Sequence, residues 1–213
     1  MQKSLAALRA QFDTFEIILI DDQSRDKTLE IAHQAAAENP EIRVLQNTVN
    51  MGQGKTLLRA FDEARGEFVI HNAVDYPFDL EDLNQMIPLL DDADIIVAAR
   101  RARPGYSAYR RVISSINIIL IRTLFGLSIH DYNFVQMYRR DVLDKISITA
   151  DSTGFLTPEI IIRANDMGYR VTEIEVAYHP REFGTATAGS PKVLIRSFRD
   201  MMSFFIRRAL KRL

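Results

Sequence analysis

The sequence predicts an α/β fold: a mostly parallel sheet with helices on both faces. Short runs of β-formers alternate with amphipathic stretches from Glu16 to Ala99, and that alternation is the mark of βαβ units. The first run, Phe15 to Ile20, is nearly continuous in apolar residues and ends in Asp21-Asp22. A strand buried on both faces reads this way, and ligands in open α/β sheets bind just beyond the carboxyl ends of such strands. A chain of 213 residues is long enough for one such domain with a full-sized core.

Taken in order, Met1–Phe12 reads as a helix, since Leu5, Leu8 and Phe12 recur at helical spacing. Glu16–Ile20 is a strand. Lys27–Glu38 is an alanine-rich helix, capped by Ser24 and closed by Asn39-Pro40. Ile42–Leu45 is the next strand, Lys55–Ala64 a helix ended near Gly66, and Phe68–His71 a strand before a polar loop through Pro77. Leu80–Leu89 reads as a helix and Asp94–Ala99 as a strand. Arg100, Arg101, Arg103, Arg110 and Arg111 then crowd around Pro104-Gly105. The helix Ala108–Phe125 is apolar but carries Ser114, Ser115, Asn117 and Arg122, so it lacks the run of about 18 apolar residues that a membrane span needs. Asn133–Tyr138 and Val171–Ala177 are strands with a helix from Thr157 to Met167 between them, and the last helix runs from Pro191 to Leu213. No repeat or long linker divides the chain. The expected organisation is one α/β domain over 1–189 and a basic amphipathic helix over 190–213.

The apolar fraction of 47% and the charged fraction of 26% are those of an ordinary soluble protein. Cysteine is absent, which excludes disulfides and thiolate metal sites. His33, His71, His130 and His179 show no zinc-like spacing. The N-terminus is polar and helix-prone, without the apolar centre of a signal peptide. The net charge of −1 conceals an asymmetry. From Ser190 onward seven basic residues face the single acid Asp200, a balance of +6 that leaves −7 for the rest. A basic end on an acidic body suits an anionic surface or a phosphate-bearing partner, and equally a solvated helix.

Asp21 and Asp22 stand where chemistry is expected, although a capped strand–helix turn with solvated acids has the same pattern. Gly52-Gln53-Gly54-Lys55-Thr56 invites a P-loop reading, but Val49 occupies the position of the required first glycine. In the last helix Leu194, Phe198, Met201, Met202, Phe205 and Leu213 fall broadly on one side, with Lys192, Arg196, Arg199, Arg207 and Lys211 opposite. That pattern fits a membrane-surface helix or a helix packed on its own domain.

Ile20-Asp21-Asp22-Gln23-Ser24-Arg25-Asp26 resembles the Val-Asp-Asp-Gly-Ser-x-Asp signature of family-2 glycosyltransferases, notably the dolichyl-phosphate mannose synthase type. Asn50-Met51-Gly52-Gln53-Gly54 and Ala64-Arg65-Gly66-Glu67-Phe68 are similar to its next elements. Asp131 to Arg140, Glu173-Ile174-Glu175-Val176 and Arg181-Glu182-Phe183-Gly184-Thr185 are similar to its later ones. The resemblance runs in order from about residue 15 to about residue 195. It implies a GT-A-type, Rossmann-like fold and inverting transfer of a sugar from a nucleotide diphosphate sugar to a lipid phosphate such as a polyprenyl phosphate.

The resemblance also implies roles for particular residues. Asp21, Asp22 and Lys55 would bind the nucleotide, and Asp75 would hold Mg²⁺ or Mn²⁺. Asp131 would serve the reacting sugar or acceptor, and Arg181 a phosphate, with Arg110, Arg111 and Lys192 as further cations. Two positions depart from the family's metal motif: Ala73 replaces its first Asp, and Pro77 a polar residue beyond it. Gln136 replaces a commoner aromatic or basic residue, which implies a different acceptor choice. The family also carries a strand with a Pro-x-Tyr-Asn-Glu-like motif ahead of the helix at 1–12, and a sheet lacking it would expose unpaired edges. These departures support an alternative: a catalytically impaired homologue that binds a nucleotide sugar or a partner protein. Nucleotidyl transfer is disfavoured by the lack of a Gly-rich loop after a first strand. The expected location is cytoplasmic and peripheral at the membrane through the C-terminal helix. Nucleic acid is not among the implied partners, and a homo-oligomer stays open.

Overall fold

The computed structural model describes residues 2–73, 78–179 and 190–210. The chain divides into two units, Met1–Val69 and Ile70–Leu213. The first contains α1 (Gln2–Gln11), β1 (Ile17–Asp21), α2 (Thr28–Glu38), β2 (Ile42–Gln46) and α3 (Gln53–Glu63). β1 and β2 pair in parallel, from Ile17 beside Ile42 to Asp21 beside Gln46. Leu5, Ile42 and Phe61 are buried, whereas α2 buries no residue. Ion pairs fasten the periphery. Arg9 of α1 forks onto the Glu41 carboxylate at 2.9 Å on each arm, and Arg43 of β2 reaches Glu63 at 3.1 Å.

One sequence expectation fails here. The second helix begins at Thr28, and Ser24 does not cap it. Asp26 Oδ1 accepts the Thr28 N–H at 3.0 Å, while the Ser24 N–H turns back to Asp21 Oδ1 at 3.2 Å. Gln23 adopts a positive φ of 63° between them, so the chain turns a full step before the helix can start.

β3 (Phe68–Ile70) lies where the chain passes into the second unit, which continues through α4 (Leu83–Met86), β4 (Ile95–Arg100), α5 (Ala108–Phe125), β5 (Val135–Arg139), α6 (Arg140–Lys145), α7 (Leu156–Asp166), β6 (Val171–Val176) and α8 (Pro191–Leu210). The second sheet runs β3-β5-β4-β6. β4 pairs in parallel with β6 and antiparallel with β5. The stretch expected as one helix over Leu80–Leu89 is instead α4 between two single 3₁₀ turns, Leu80–Asp82 and Ile87–Leu89, the second containing Pro88.

The core of this unit includes β4, whose Ile95, Ile96, Val97 and Ala98 are fully buried, and α7, whose Ile160 and Ile161 are likewise fully buried. Buried Glu159 of α7 accepts from the Thr149 and Ala150 N–H groups and from Arg163 at 2.6–3.0 Å, so its charge is satisfied inside the fold. α8 packs on the same core through Met201 and Phe204, with Phe204 5.7 Å from both Phe125 and Phe155, ring centre to ring centre. Its faces differ from the expected two. Met201 is buried, but Phe198 is exposed beside Arg199, so a mixed apolar and basic side faces outward. Among the described residues no helix is long and apolar enough to cross a membrane.

Candidate active site

In the first unit the chemistry gathers at the carboxyl end of β1. Asp22 follows the strand directly, and its carboxylate collects the segment after β2. Oδ1 accepts from Asn47 Nδ2 at 2.7 Å and from the Met51 N–H at 2.8 Å. Oδ2 accepts from the Gly52 N–H at 2.8 Å. Gly52, at the head of α3, has a φ of 81°, a conformation that favours glycine. Partial burial works against the Asp22 charge, but the hydrogen bonds from Asn47, Met51 and Gly52 outweigh it and hold its pKa below the ordinary carboxylate value. Asp21 is buried, and its pKa is lowered chiefly by the hydrogen bond from Ser24.

Asn47 is the partner that sequence reasoning missed. It is 1% exposed, donates to Asp22 and to Thr56 Oγ1, and receives Arg59 at 2.6 Å on its own Oδ1. Its position directly after an apolar strand was the available signal. Lys55 is exposed on the first turn of α3. The unit therefore presents two ionised carboxylates, a helix N-terminus and a lysine.

In the second unit the chemistry gathers at the carboxyl end of β4. Arg100 is 7% exposed at its side chain and grips Asp131 with both arms, Nε to Oδ2 at 2.5 Å and Nη2 to Oδ1 at 2.8 Å. Arg103 reaches the same carboxylate at 3.2 Å. The Arg100 guanidinium also lies 4.9 Å from the Phe134 ring centre and 5.6 Å from those of Tyr106 and Tyr178. Burial disfavours its charge, yet the Asp131 carboxylate prevails and raises its pKa. Asp131 itself is 2% exposed. Sequence reasoning noted these arginines as a cluster but did not pair Arg100 and Arg103 with Asp131, because the partners lie about thirty positions apart.

Beside this pair opens a concavity of about 660 Å³ lined by Arg100, Arg101, Arg103, Arg111, Ser115 and Ile118. Arg103 also hydrogen-bonds Ser114 of α5, and Arg111 donates to the Tyr106 carbonyl at 2.9 Å. Arg110 lies 4.0 Å over the Tyr106 ring. The result is an open cationic hollow that Arg111, Ser115 and Ile118 of α5 line on one side.

The remaining expected residues divide. Asp75, Pro77 and Arg181 lie outside the described residues. Ala73 is exposed, and its N–H donates to Asn72 Oδ1 at 3.0 Å. Among the described residues no group of three or more His, Asp or Glu side chains could hold a metal ion. Gln136 is fully buried, donating to the Tyr132 carbonyl at 2.9 Å and accepting from the Tyr138 hydroxyl at 3.2 Å. Its amide is thus bonded within the sheet. Lys192 is exposed on α8.

The fold is that of the GT-A glycosyltransferases. The crystal structure of glucosyl-3-phosphoglycerate synthase from Mycobacterium tuberculosis in complex with Mn²⁺, uridine diphosphate and phosphoglyceric acid matches at a TM-score of 0.70 and 15% identity, over 96% of this chain and 73% of that one. A further mycobacterial protein matches at 0.70 and 18% identity, over 94% and 69% of the two chains. The family model described as glycosyl transferase family 2 matches residues 1–147, and the chain belongs to that family. An undecaprenyl-phosphate 4-deoxy-4-formamido-L-arabinose transferase of Photorhabdus laumondii is 29% identical over 197 residues, 91% of this chain and 59% of the relative. The enzyme of the same name from Pectobacterium atrosepticum is 30% identical over 190 residues, 87% and 56% of the two chains. The chain therefore spans somewhat more than half the length of these relatives.

Proposed function

We propose that this chain is the catalytic part of an inverting glycosyltransferase that moves a sugar from a nucleoside diphosphate sugar to a polyprenyl phosphate. The carrying observation is the arginine-lined hollow at the end of β4, walled on one side by α5. It offers cations for a phosphate, with Ile118 of α5 beside them. The names of the curated relatives support the same acceptor class. The nucleoside diphosphate would lie against Asp21, Asp22 and Lys55 in the first unit. Those carboxylates suit ribose hydroxyls and base N–H groups, and Lys55 suits a phosphate.

A phosphate monoester oxygen is already anionic at neutral pH, so it needs little help from a general base. It attacks the anomeric carbon in a single displacement, the bond to the leaving diphosphate breaks, and the configuration inverts. Asp131 is buried and engaged by two guanidiniums, so its part is to hold Arg100 and Arg103 in place. Arg111 and Arg101 meet the acceptor phosphate, and Arg181 is assigned to the same charge. Mg²⁺ or Mn²⁺ at Asp75 would compensate the departing diphosphate, a role supported by the metal ions in the structural neighbours. A lipid acceptor supports action at a membrane surface, and we place this at the cytoplasmic face with α8 against it.

Ala73 supports a second reading, a homologue that binds donor nucleotide without turnover, because its methyl group offers no metal ligand. Calorimetry with UDP and GDP, with and without Mn²⁺, followed by transfer from a labelled nucleotide sugar to undecaprenyl phosphate, separates the two. Saturable binding that Mn²⁺ strengthens, together with labelled lipid product, is expected. Binding without product, and without response to Mn²⁺, would establish the second reading.

A further inference from the structure

Residues 126–134, between α5 and β5, have no regular secondary structure, so side chains from elsewhere must set their path. Glu173 of β6 does so. β6 pairs with β4 so that Glu173 stands beside Val97, and its carboxylate, 15% exposed, turns to the loop. Oε1 accepts the His130 N–H at 2.9 Å and the Asp131 N–H at 3.1 Å. Oε2 lies 2.8 Å from His130 Nδ1. One residue on, the Tyr132 carbonyl accepts from Gln136 at 2.9 Å and from Thr157 at 2.8 Å. Asp131 is therefore held by Glu173 through its own N–H and by the Tyr132 contacts just after it. Hydrogen bonds from N–H groups to a carboxylate are strong and directional, so this grip fixes position.

We propose that Glu173 is a positioning residue for the arginine hollow, acting through Asp131. The proposal deepens the lipid-phosphate reading and rests on it for the identity of the substrate. Asp131 is 2% exposed, and Arg100 and Arg103 converge on its carboxylate. Arg100 directs Nε and Nη2 to that carboxylate and Nη1 to the Tyr106 hydroxyl at 2.5 Å. The Tyr106 carbonyl in turn accepts from Arg111, which lines the hollow. Support thus runs from Glu173 to the loop, to Asp131, to Arg100 and Arg103, and through Tyr106 to Arg111. Each step is a hydrogen bond or ion pair within one unit. A group displaced by about 1 Å from its working position can lose a hundredfold in effect, so a loosened loop should be felt at the phosphate.

Glu173→Ala removes the grip, whereas Glu173→Gln keeps an oxygen for the two backbone N–H groups. His130→Ala removes the ring and keeps the same backbone bonds. Farnesyl phosphate serves as a soluble acceptor probe, and UDP and GDP as donor probes, each titrated calorimetrically. Glu173→Ala should bind farnesyl phosphate about tenfold more weakly or worse, with its nucleotide affinity unchanged. Glu173→Gln and His130→Ala should stay within about twofold of the parent. No loss in Glu173→Ala, a loss shared equally by nucleotide and farnesyl phosphate, or an equal loss in either of the other variants would overturn the proposal. If circular dichroism shows Glu173→Ala unfolded, Glu173→Asp, which draws the carboxylate back by one methylene, is read in the same way. Exchange of the Arg100 Nε–H, followed by NMR, separates the proposal from the reading beneath it. That N–H, bonded to Asp131, should exchange about tenfold faster once Glu173 is replaced by Ala. Such acceleration in a protein whose parent binds no farnesyl phosphate would sink the acceptor reading alone. Unchanged Arg100 exchange would overturn the positioning role whatever the protein binds.

Discussion

Asp22 accepts hydrogen bonds from two backbone N–H groups and an amide, which makes its charge part of the local structure. Asp22→Asn would turn an amide N–H toward the N–H of Met51 or Gly52. We expect a loss of about 1–3 kcal/mol in the stability of the first unit, the usual effect of an unsatisfied group, together with weakened binding of UDP or GDP. Urea denaturation and calorimetry check both. Asp21 and Asp22 have lowered pKa values in the folded chain. Their stabilising contribution is therefore complete above the ordinary carboxylate value and is lost as the pH falls through the lowered ones.

Asp131 gives a sharper contrast. Asp131→Asn leaves Arg100 buried without its counter-charge and should cost about 3–5 kcal/mol. Arg103→Ala leaves the Arg100 fork intact and should cost roughly 1 kcal/mol. Equal stability of Asp131→Asn and the parent in urea, with activity lost, would instead make Asp131 a proton acceptor. His71 behaves in the opposite sense to a paired histidine. Burial lowers its pKa to about 4, against a smaller raising effect from its contact with the Phe134 carbonyl at 3.1 Å. Folding thus favours the neutral ring, so stability should fall as the pH drops from the ordinary histidine value near 6.5 toward about 4. His71→Gln should flatten that part of a pH–stability curve measured in urea.

At the scale of the element, α8 is seated by a close approach at Gly154. A Cβ on Gly154 would run into Ser197 of α8, and the neighbouring Ser152 N–H donates to Asp200 Oδ2 at 3.0 Å. Gly154→Ala should therefore lift the helix and cost about 1–3 kcal/mol by overpacking, seen as a lower melting temperature and faster amide exchange in α8. The same scale shows what was legible in advance. β4 and α5 were readable because a buried strand is continuously apolar, and because α5 has Ser107 before it and Gly126, at a φ of 75°, after it. α6 escaped because six residues are too few for a helical period. The antiparallel direction of β5 leaves no trace in an apolar run. The Ser24 cap misled because Asp26 competes for the same turn. Asp131 was readable as a functional position from its motif, but its partners Arg100 and Arg103 are set by the sheet, which no local spacing encodes.

The two units should differ in stability as whole bodies. In the first, the described residues of β1 are only partly buried apart from Asp21, and α2 buries nothing. In the second, four consecutive residues of β4 are fully buried, as are Ile160 and Ile161 of α7. A segment of 69 residues with so small a core has little margin, since burial scales unfavourably with decreasing size. Amide exchange in β1 and β2 should thus be faster than in β4 and β6, and urea should release the first unit at lower concentration. If that unit holds the nucleoside diphosphate, UDP or GDP at a hundred times its dissociation constant should stabilise it by about 2.7 kcal/mol and leave the exchange of β4 much less changed. Uniform protection of all strands, or a nucleotide effect confined to β4 and β6, would move the donor site out of the first unit and take the proposed roles of Asp22 and Lys55 with it.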